Sequence, residues 1–385
     1  MDTATADDTL TLAKALLSRR SVTPDDGGCV DLVADRLRVL GFTCERMDRN
    51  GVVNLWARRG TAEPVVCYAG HVDVVPTGPV EQWTSDPFTP TERDGYLYAR
   101  GATDMKGPLA AAITAVERFV AAHPHHPGSV AVLLTSDEEG VARDGTLAVV
   151  EALIARGDRI TQCIVTESTS IVQLGDGIKN GRRGSLNGVL TVRGQQCHIA
   201  YPHLGKNPIH HAAAAIAELT GTSWDGGNEY FPPTSFQISN IHAGTGADNV
   251  IPGVMTVVFN FRCSPESSVE SLQARVSEIL DRHQVDGEIS WRVSGQPFLT
   301  PRGRLVDVLS SVISLECGVR PELSTGGGTS DARFIAAVAH EVVEFGGLNS
   351  SMHMVDEHLR LADLGPLSRI YEGTLEQLLI PSSGS

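Results

Sequence analysis

Three apolar runs that end abruptly in polar residues constrain the fold of this chain more than any other feature. Pro64 to His71 reads Pro-Val-Val-Cys-Tyr-Ala-Gly-His, and Ser129 to Ser136 reads Ser-Val-Ala-Val-Leu-Leu-Thr-Ser. Cys163-Ile164-Val165-Thr166 then runs into Glu167. An unbroken apolar run of strand length suits a strand covered on both faces, as parallel strands under helices are. Helical patterns at Leu109 to Val120 and Leu147 to Ala155 lie between the runs, so the chain predicts an α/β fold with a mostly parallel sheet. Ligands of such sheets bind beyond the carboxyl ends of the strands, where these polar residues fall.

The middle of the chain reads differently. Gly188 to Arg193, Met255 to Cys263 and Glu288 to Val293 are strand-like, and Pro208 to Leu219 and Ser268 to His283 are helix-like. That mixture predicts a smaller α+β unit. Its flanks, Lys179 to Gly184 and Ser294 to Pro297, carry the glycines of turn segments. Alternation resumes with a helix at Gly303 to Leu315 and a strand at His340 to Phe345. The expected organisation is one discontinuous domain, residues 1–183 and 295–385, with residues 184–294 inserted. A chain of 385 residues exceeds what one core usually serves.

Acidic residues outnumber basic ones 46 to 31, which argues against a nucleic-acid partner, because phosphate neutralisation needs clustered Lys and Arg. The first twenty residues hold an amphipathic stretch at Leu10 to Leu17 but no basic leader with a long apolar run. No other run reaches membrane-spanning length, so the expectation is a cytoplasmic protein with no membrane partner. The seven cysteines are odd in number and form no C-x-x-C pair, which suits reduced thiols rather than a disulfide framework.

The chemistry lies in a few short motifs. His71-Val72-Asp73 places two side chains on one side of a strand end, where a carboxylate can orient a metal-binding imidazole. In Gly101-Ala102-Thr103-Asp104-Met105-Lys106-Gly107, glycines bracket one aspartate before a helical run, and taken singly Asp104 also fits a helix N-cap. Ser136-Asp137-Glu138-Glu139-Gly140 follows a second strand, though acidic triplets commonly form solvated loops. Glu167 ends the third strand, and His353 follows far downstream in Asn349-Ser350-Ser351-Met352-His353. Together they offer two imidazoles and three carboxylates without a thiolate, a set suited to two zinc ions sharing one carboxylate. One glutamate is left over for proton transfer.

In this order the motifs resemble those of the di-zinc aminoacylase and carboxypeptidase-like metallopeptidases. Within that family, longer segments are similar to the succinyl-diaminopimelate desuccinylases: Lys179 to Ser185, Ala200-Tyr201-Pro202-His203, Phe231 to Ser235, Gly326 to Asp331 and Val343 to Gly346. The resemblance spans about Leu10 to Leu379. It implies that His71 and Glu167 bind one zinc, that Glu139 and His353 bind the other, and that Asp104 bridges both, two ions per subunit with cobalt able to substitute. It further implies that Asp73 orients His71, that Glu138 is the general base, and that His198 donates to the oxyanion from the neighbouring subunit of a homodimer. The inserted domain would then serve as lid and dimerisation domain.

The substrate implied is a small acylated amino acid, N-succinyl-LL-2,6-diaminopimelate. Lys179, Arg182 and Arg262 would meet its carboxylates, and Ser185, Tyr201, Asn249, Gly328, Thr329 and Asn349 would also contact it. The chain departs from the family at Cys197, where relatives have glycine, at Asp248, where a second asparagine is usual, and at Ser168, where proline is usual. Alternatives are an acetylornithine deacetylase or aminoacylase of the same family, and a binding protein without catalysis. Arg182, Arg262 and the Phe231 to Ser235 segment favour the succinyl substrate, and the retained ligand set favours an enzyme. A two-metal phosphoesterase would need a stronger phosphate clamp. The Gly326-Gly327-Gly328 run has no following Lys-Ser or Lys-Thr, against a phosphate loop. His123, His125 and His126 read as a surface loop.

Overall fold

A computed structural model describes residues 3–381. It divides into two compact units: Met1–Gly181 with Leu299–Ser324 and Ser330–Ser385, and Arg182–Phe298 with Thr325–Thr329. The ends of the expected larger domain, residues 1–2 and 382–385, lie outside the described residues.

The larger unit is built on an eight-stranded sheet. Four central strands, Ser129–Thr135, Val65–His71, Ile160–Val165 and Ala339–Glu344, lie side by side in that order and run parallel. The first two are buried along their whole length, which explains the unbroken apolar runs: neither face meets water. Each such Val or Leu contributes about 1.5–3 kcal/mol by leaving water. Strands Thr43–Arg46 and Asn54–Arg59 extend one edge antiparallel. They were not foreseen from the sequence: Thr43–Arg46 is a short, mostly polar edge strand, and Asn54–Arg59 is a short run that ends in two arginines.

Helix Gly107–Ala122 buries most of its length and packs on the C-terminal helix Leu361–Leu379, with Thr114 Oγ1 3.0 Å from Ser368 Oγ and Arg118 Nε donating to Glu372 at 2.7 Å. The Tyr68 hydroxyl donates to Tyr371 O, and the Tyr371 hydroxyl to Phe345 O, both at 2.6 Å, tying this helix to one strand and to the residue just past the end of another.

Of the four parallel strands, the first in sequence sits between the second and third. The chain therefore winds one way from Val65–His71 and then the other, which opens a crevice at that strand's carboxyl end. His71 is its last residue.

The smaller unit is a four-stranded antiparallel sheet, in the order Ser235–Ala243, Val254–Cys263, Gly184–Arg193, Gly287–Gly295. Val254–Cys263 alternates buried and half-buried residues, as expected when one face packs and the other does not. The packed face joins Phe236, Phe259, Phe261 and Trp224 to helices Pro208–Gly221 and Val269–Arg282. Asn207 and Ser268 cap these helices by accepting the N–H groups of Ile209 and Ser271.

Where the sequence predicts turns at residues 179–184, the chain is extended, in strands Gly177–Lys179, Gly181–Arg182 and Gly184–Arg193. Gly184 answers a packing need instead: a Cβ there would lie 2.9 Å from Pro297 Cδ. No helix among the described residues is long and apolar enough to cross a membrane.

Candidate metal centre

Parallel strands bring their carboxyl ends to one edge, and four consecutive ends deliver the predicted ligands there. His71 ends one strand, Glu138 and Glu139 follow the second, Glu167 follows the third, and the segment to His353 follows the fourth. Asp104 arrives on the turn before helix Gly107–Ala122. Gly101 makes that turn possible with a φ of 83°, and a Cβ on it would lie only 2.6 Å from Val74 Cγ1.

Two ligand groups result. His71, Asp104 and Glu167 offer donor atoms all within 4.8 Å of one another, as do Asp104, Glu139 and His353. Asp104 belongs to both. Its Oδ1 lies 3.1 Å from His71 Nε2, and its Oδ2 lies 3.2 Å from His353 Nε2. His71 Nε2 is also 3.5 Å from Glu167 Oε1, and His353 Nε2 is 2.8 Å from Glu139 Oε1. One carboxylate thus presents a different oxygen to each imidazole.

The electrostatics are those of acids crowded out of water. Burial, and then Asp104, pushes Glu167 up to about 7. Burial, and then Asp331, pushes Glu138 well above the usual carboxylate range. Hydrogen bonds to Asp104 and Glu139 raise His353 to about 10. Burial opposes charge on His71, yet Asp104 and Glu167 outweigh it and raise this imidazole well above its ordinary value. Burial also works against the charge on Asp104, but the two imidazoles outweigh it and hold this acid low. Crowded acids of this kind call for cations to balance them, and a donor set of carboxylate oxygens and imidazoles fits zinc.

Asp73 sits behind the ligands and is fully buried. Its carboxylate accepts the backbone N–H groups of Glu138 at 3.3 Å and Glu139 at 3.1 Å. The atom bonded to His71 Nδ1 is the Asp73 carbonyl oxygen, at 2.9 Å, with the carboxylate farther at 3.6 Å. In the neutral ring that bond keeps the proton on Nδ1 and leaves Nε2 bare toward the acids.

Among the predicted substrate residues, Lys179 and Asn349 belong to the larger unit. Lys179 Nζ donates to Ser324 Oγ at 3.1 Å, and Asn349 N to Ser170 O at 3.0 Å. The smaller unit carries the rest. Ser185 and Arg262 face each other across neighbouring strands, and Arg182 Nη1 donates to Gly326 O at 2.9 Å, in the loop that holds Gly328 and Thr329. His198 and Tyr201 lie on an exposed stretch, and Asn249 O accepts the Ile199 N–H at 2.9 Å. The Ala200 N–H donates to His198 Nδ1 at 3.1 Å. A neutral ring whose Nδ1 accepts carries its proton on Nε2, the tautomer of a hydrogen-bond donor. Cys197 Sγ fills the space a Cβ at residue 205 would need, 2.4 Å away, so Gly205 accommodates this departure from the family.

Sequence reasoning passed over Arg333, Glu357 and Arg100 in the larger unit and Arg183 in the smaller one. Arg333 is nearly buried, has no hydrogen-bond partner for Nε or Nη1 among the described residues, and brings Nη1 to 3.8 Å from Glu138 Oε1. Arg183 titrates below its ordinary value through burial and then the nearby Arg262 and Arg182, which marks a cluster of three guanidiniums. Its tandem with Arg182 was the available signal. Glu357 and Arg100 form a buried ion pair of 2.7 Å under the Asp104 turn, and no local pattern marks either. Ser168, another departure, donates to Thr103 O at 2.7 Å, a bond proline could not make.

Comparison with known proteins agrees with the resemblance in the motifs. The chain is 62% identical over 371 residues to the succinyl-diaminopimelate desuccinylase of Azoarcus sp. (strain BH72), covering 96% of this chain and 98% of the relative. It is 63% identical over 378 residues to that of Thiobacillus denitrificans, covering 98% and 96%. Among solved structures, an M20 family metallo-carboxypeptidase from Sulfolobus solfataricus superimposes with a TM-score of 0.81 at 18% identity over 97% of this chain and 99% of that one. The YXEP protein of Bacillus subtilis, described as a dinuclear metal binding peptidase, gives 0.72 at 16% identity over 97% and 99%. At such identities the likeness concerns the fold. The motifs, the sheet and the match of residues 67–377 to the family pattern agree, and the chain belongs to peptidase family M20/M25/M40.

Proposed function

We propose that this chain is a two-zinc amide hydrolase that removes succinate from N-succinyl-LL-2,6-diaminopimelate, a small acylated amino acid, to give LL-2,6-diaminopimelate. The observation that carries the mechanism is Asp104, whose two oxygens face two different imidazoles. The substrate rests on relatives near 60% identity that bear the desuccinylase name. His71 and Glu167 would hold one ion, Glu139 and His353 the other, and Asp104 both, with cobalt able to replace zinc.

Two such ions, when bound, supply Lewis-acid polarisation of the scissile carbonyl. Glu138 accepts the proton of the attacking water at a carboxylate oxygen and returns it to the leaving nitrogen, a role suited to an acid whose proton affinity burial has raised. Asp73 holds Glu138 and Glu139 by their backbones, so the base and its neighbouring ligand keep their places. His198 Nε2–H donates to the developing oxyanion, from the second subunit of a homodimer. Arg182 and Arg262 pair with substrate carboxylates, for which a guanidinium fork suits better than a point charge, and Lys179 adds a third cation. Residues 184–294 would form the lid and dimerisation domain.

The test is amine release from N-succinyl-LL-diaminopimelate beside N-acetylornithine and a simple N-acetyl amino acid, with and without a chelator. Chelator-sensitive preference for the succinyl compound is the expected result. Preference for N-acetylornithine would move the chain to a sister specificity.

Zinc uptake should also depend on pH. Hydrogen bonds to Asp104 and Glu139 push His353 up to about 10 in the metal-free protein, so below that point zinc has to displace its proton. Affinity should therefore rise with pH, by roughly tenfold per unit for each proton displaced, and a weakly buffered titration should acidify as zinc is added. An affinity flat between pH 7 and 9 would show that His353 gives up no proton to zinc in that range.

A further inference from the structure

We propose that Glu357 is the positioning residue of the metal centre, a buried carboxylate that shapes the turn carrying Asp104 and ties it to the loop carrying His353. The inference rests on the two-zinc reading above. Glu357 is completely buried. Its Oε2 accepts Arg100 Nη1 at 2.7 Å and the Gly101 N–H at 2.9 Å, and its Oε1 accepts the N–H groups of Thr103 at 2.9 Å and Asp104 at 3.0 Å. A carboxylate has about four lone-pair sites, so Glu357 is saturated and keeps none for a metal.

Three of the four donors are backbone groups of one four-residue turn, so the carboxylate dictates the path of that turn. Asp104 has φ −125° and ψ 93°, a non-helical conformation, and its N–H is satisfied by Glu357. The same pairing reaches the other ligand: Arg100 Nη1 also donates to Met354 O at 3.2 Å, one residue beyond His353. Ala99 N donates to Glu357 O at 3.0 Å, closing the link between the two segments. A glutamine could not replace this group. Its amide has one acceptor oxygen, and in either orientation its NH2 would face two donors.

The test compares Glu357→Gln with the parent in zinc affinity of the metal-free protein, thermal unfolding of that protein, and kcat and KM at saturating zinc. Because Asp104 is shared, both zinc ions should weaken, each by about 10–100-fold, the range for groups that orient metal ligands, while KM stays near the parent's and kcat falls. Glu357→Gln with the parent's zinc affinities, whatever its melting temperature, would overturn the inference. Should that variant not fold, Arg100→Gln takes its place. It leaves the three backbone donors on Glu357, so a smaller weakening of both ions is expected, and unchanged affinity again overturns the inference. A parent that takes up no zinc sinks the two-zinc reading and this inference together, whereas a zinc-binding parent with an unaffected variant sinks the inference alone.

Discussion

Glu138→Gln should keep both metal ions and lose turnover by about 10²–10⁴-fold, the usual contribution of a general base. The substitution preserves shape and removes the acceptor, and it leaves the contact that positions this segment intact, because Asp73 holds residues 138 and 139 through their N–H groups rather than their side chains. Glu138 stands outside both ligand groups, which is why metal content should not change. Metal analysis beside steady-state kinetics separates the two effects. Turnover close to the parent's would remove Glu138 from the proton-transfer role, and loss of one metal would make it a ligand instead.

The second large effect is expected at Asp104. His353→Ala should cost the ion held by Glu139 and leave the one held by His71 and Glu167, because only one ligand group contains His353. Asp104→Asn should weaken both ions, since each oxygen serves a different group, and by more than the about 10–100-fold lost when an outer orienting contact is removed. Metal-free protein titrated with zinc against a competing chelator would distinguish them. An Asp104→Asn variant that loses a single ion would show that the carboxylate does not bridge. The substitution also relieves crowding, since Asp104 is the main charge raising Glu167 after burial. Yet the two imidazoles hold the Asp104 charge in place, so the metal-free variant should also lose some stability at neutral pH, and thermal unfolding without metal checks that loss of zinc is not loss of fold.

Most of the candidate ligands could be picked out in the sequence because they lie next to a structural cue, His353 being the exception. His71 and Glu167 end apolar runs, Glu138 and Glu139 follow one, and Asp104 stands between glycines. Strand periodicity and turn residues act over a few positions, so a linear reading can find them. The small unit's helices were equally plain. Its strand Ser235–Ala243 was not foreseen, since most of its residues are exposed and leave no apolar alternation to read.

By itself the sequence determined the parallel sheet, the residue types available as ligands and the presence of a spare glutamate beside one of them, because these follow from side-chain chemistry and short-range pattern. Only the tertiary structure decided that the two Asp104 oxygens face different imidazoles, that the Asp73 carboxylate grips backbone while its carbonyl oxygen meets the His71 ring, and that Glu357 reaches the Asp104 N–H across 253 positions. The reason is physical: a hydrogen bond between distant segments leaves no periodicity in either, and a buried acid satisfied by four donors looks in sequence like any glutamate in a loop.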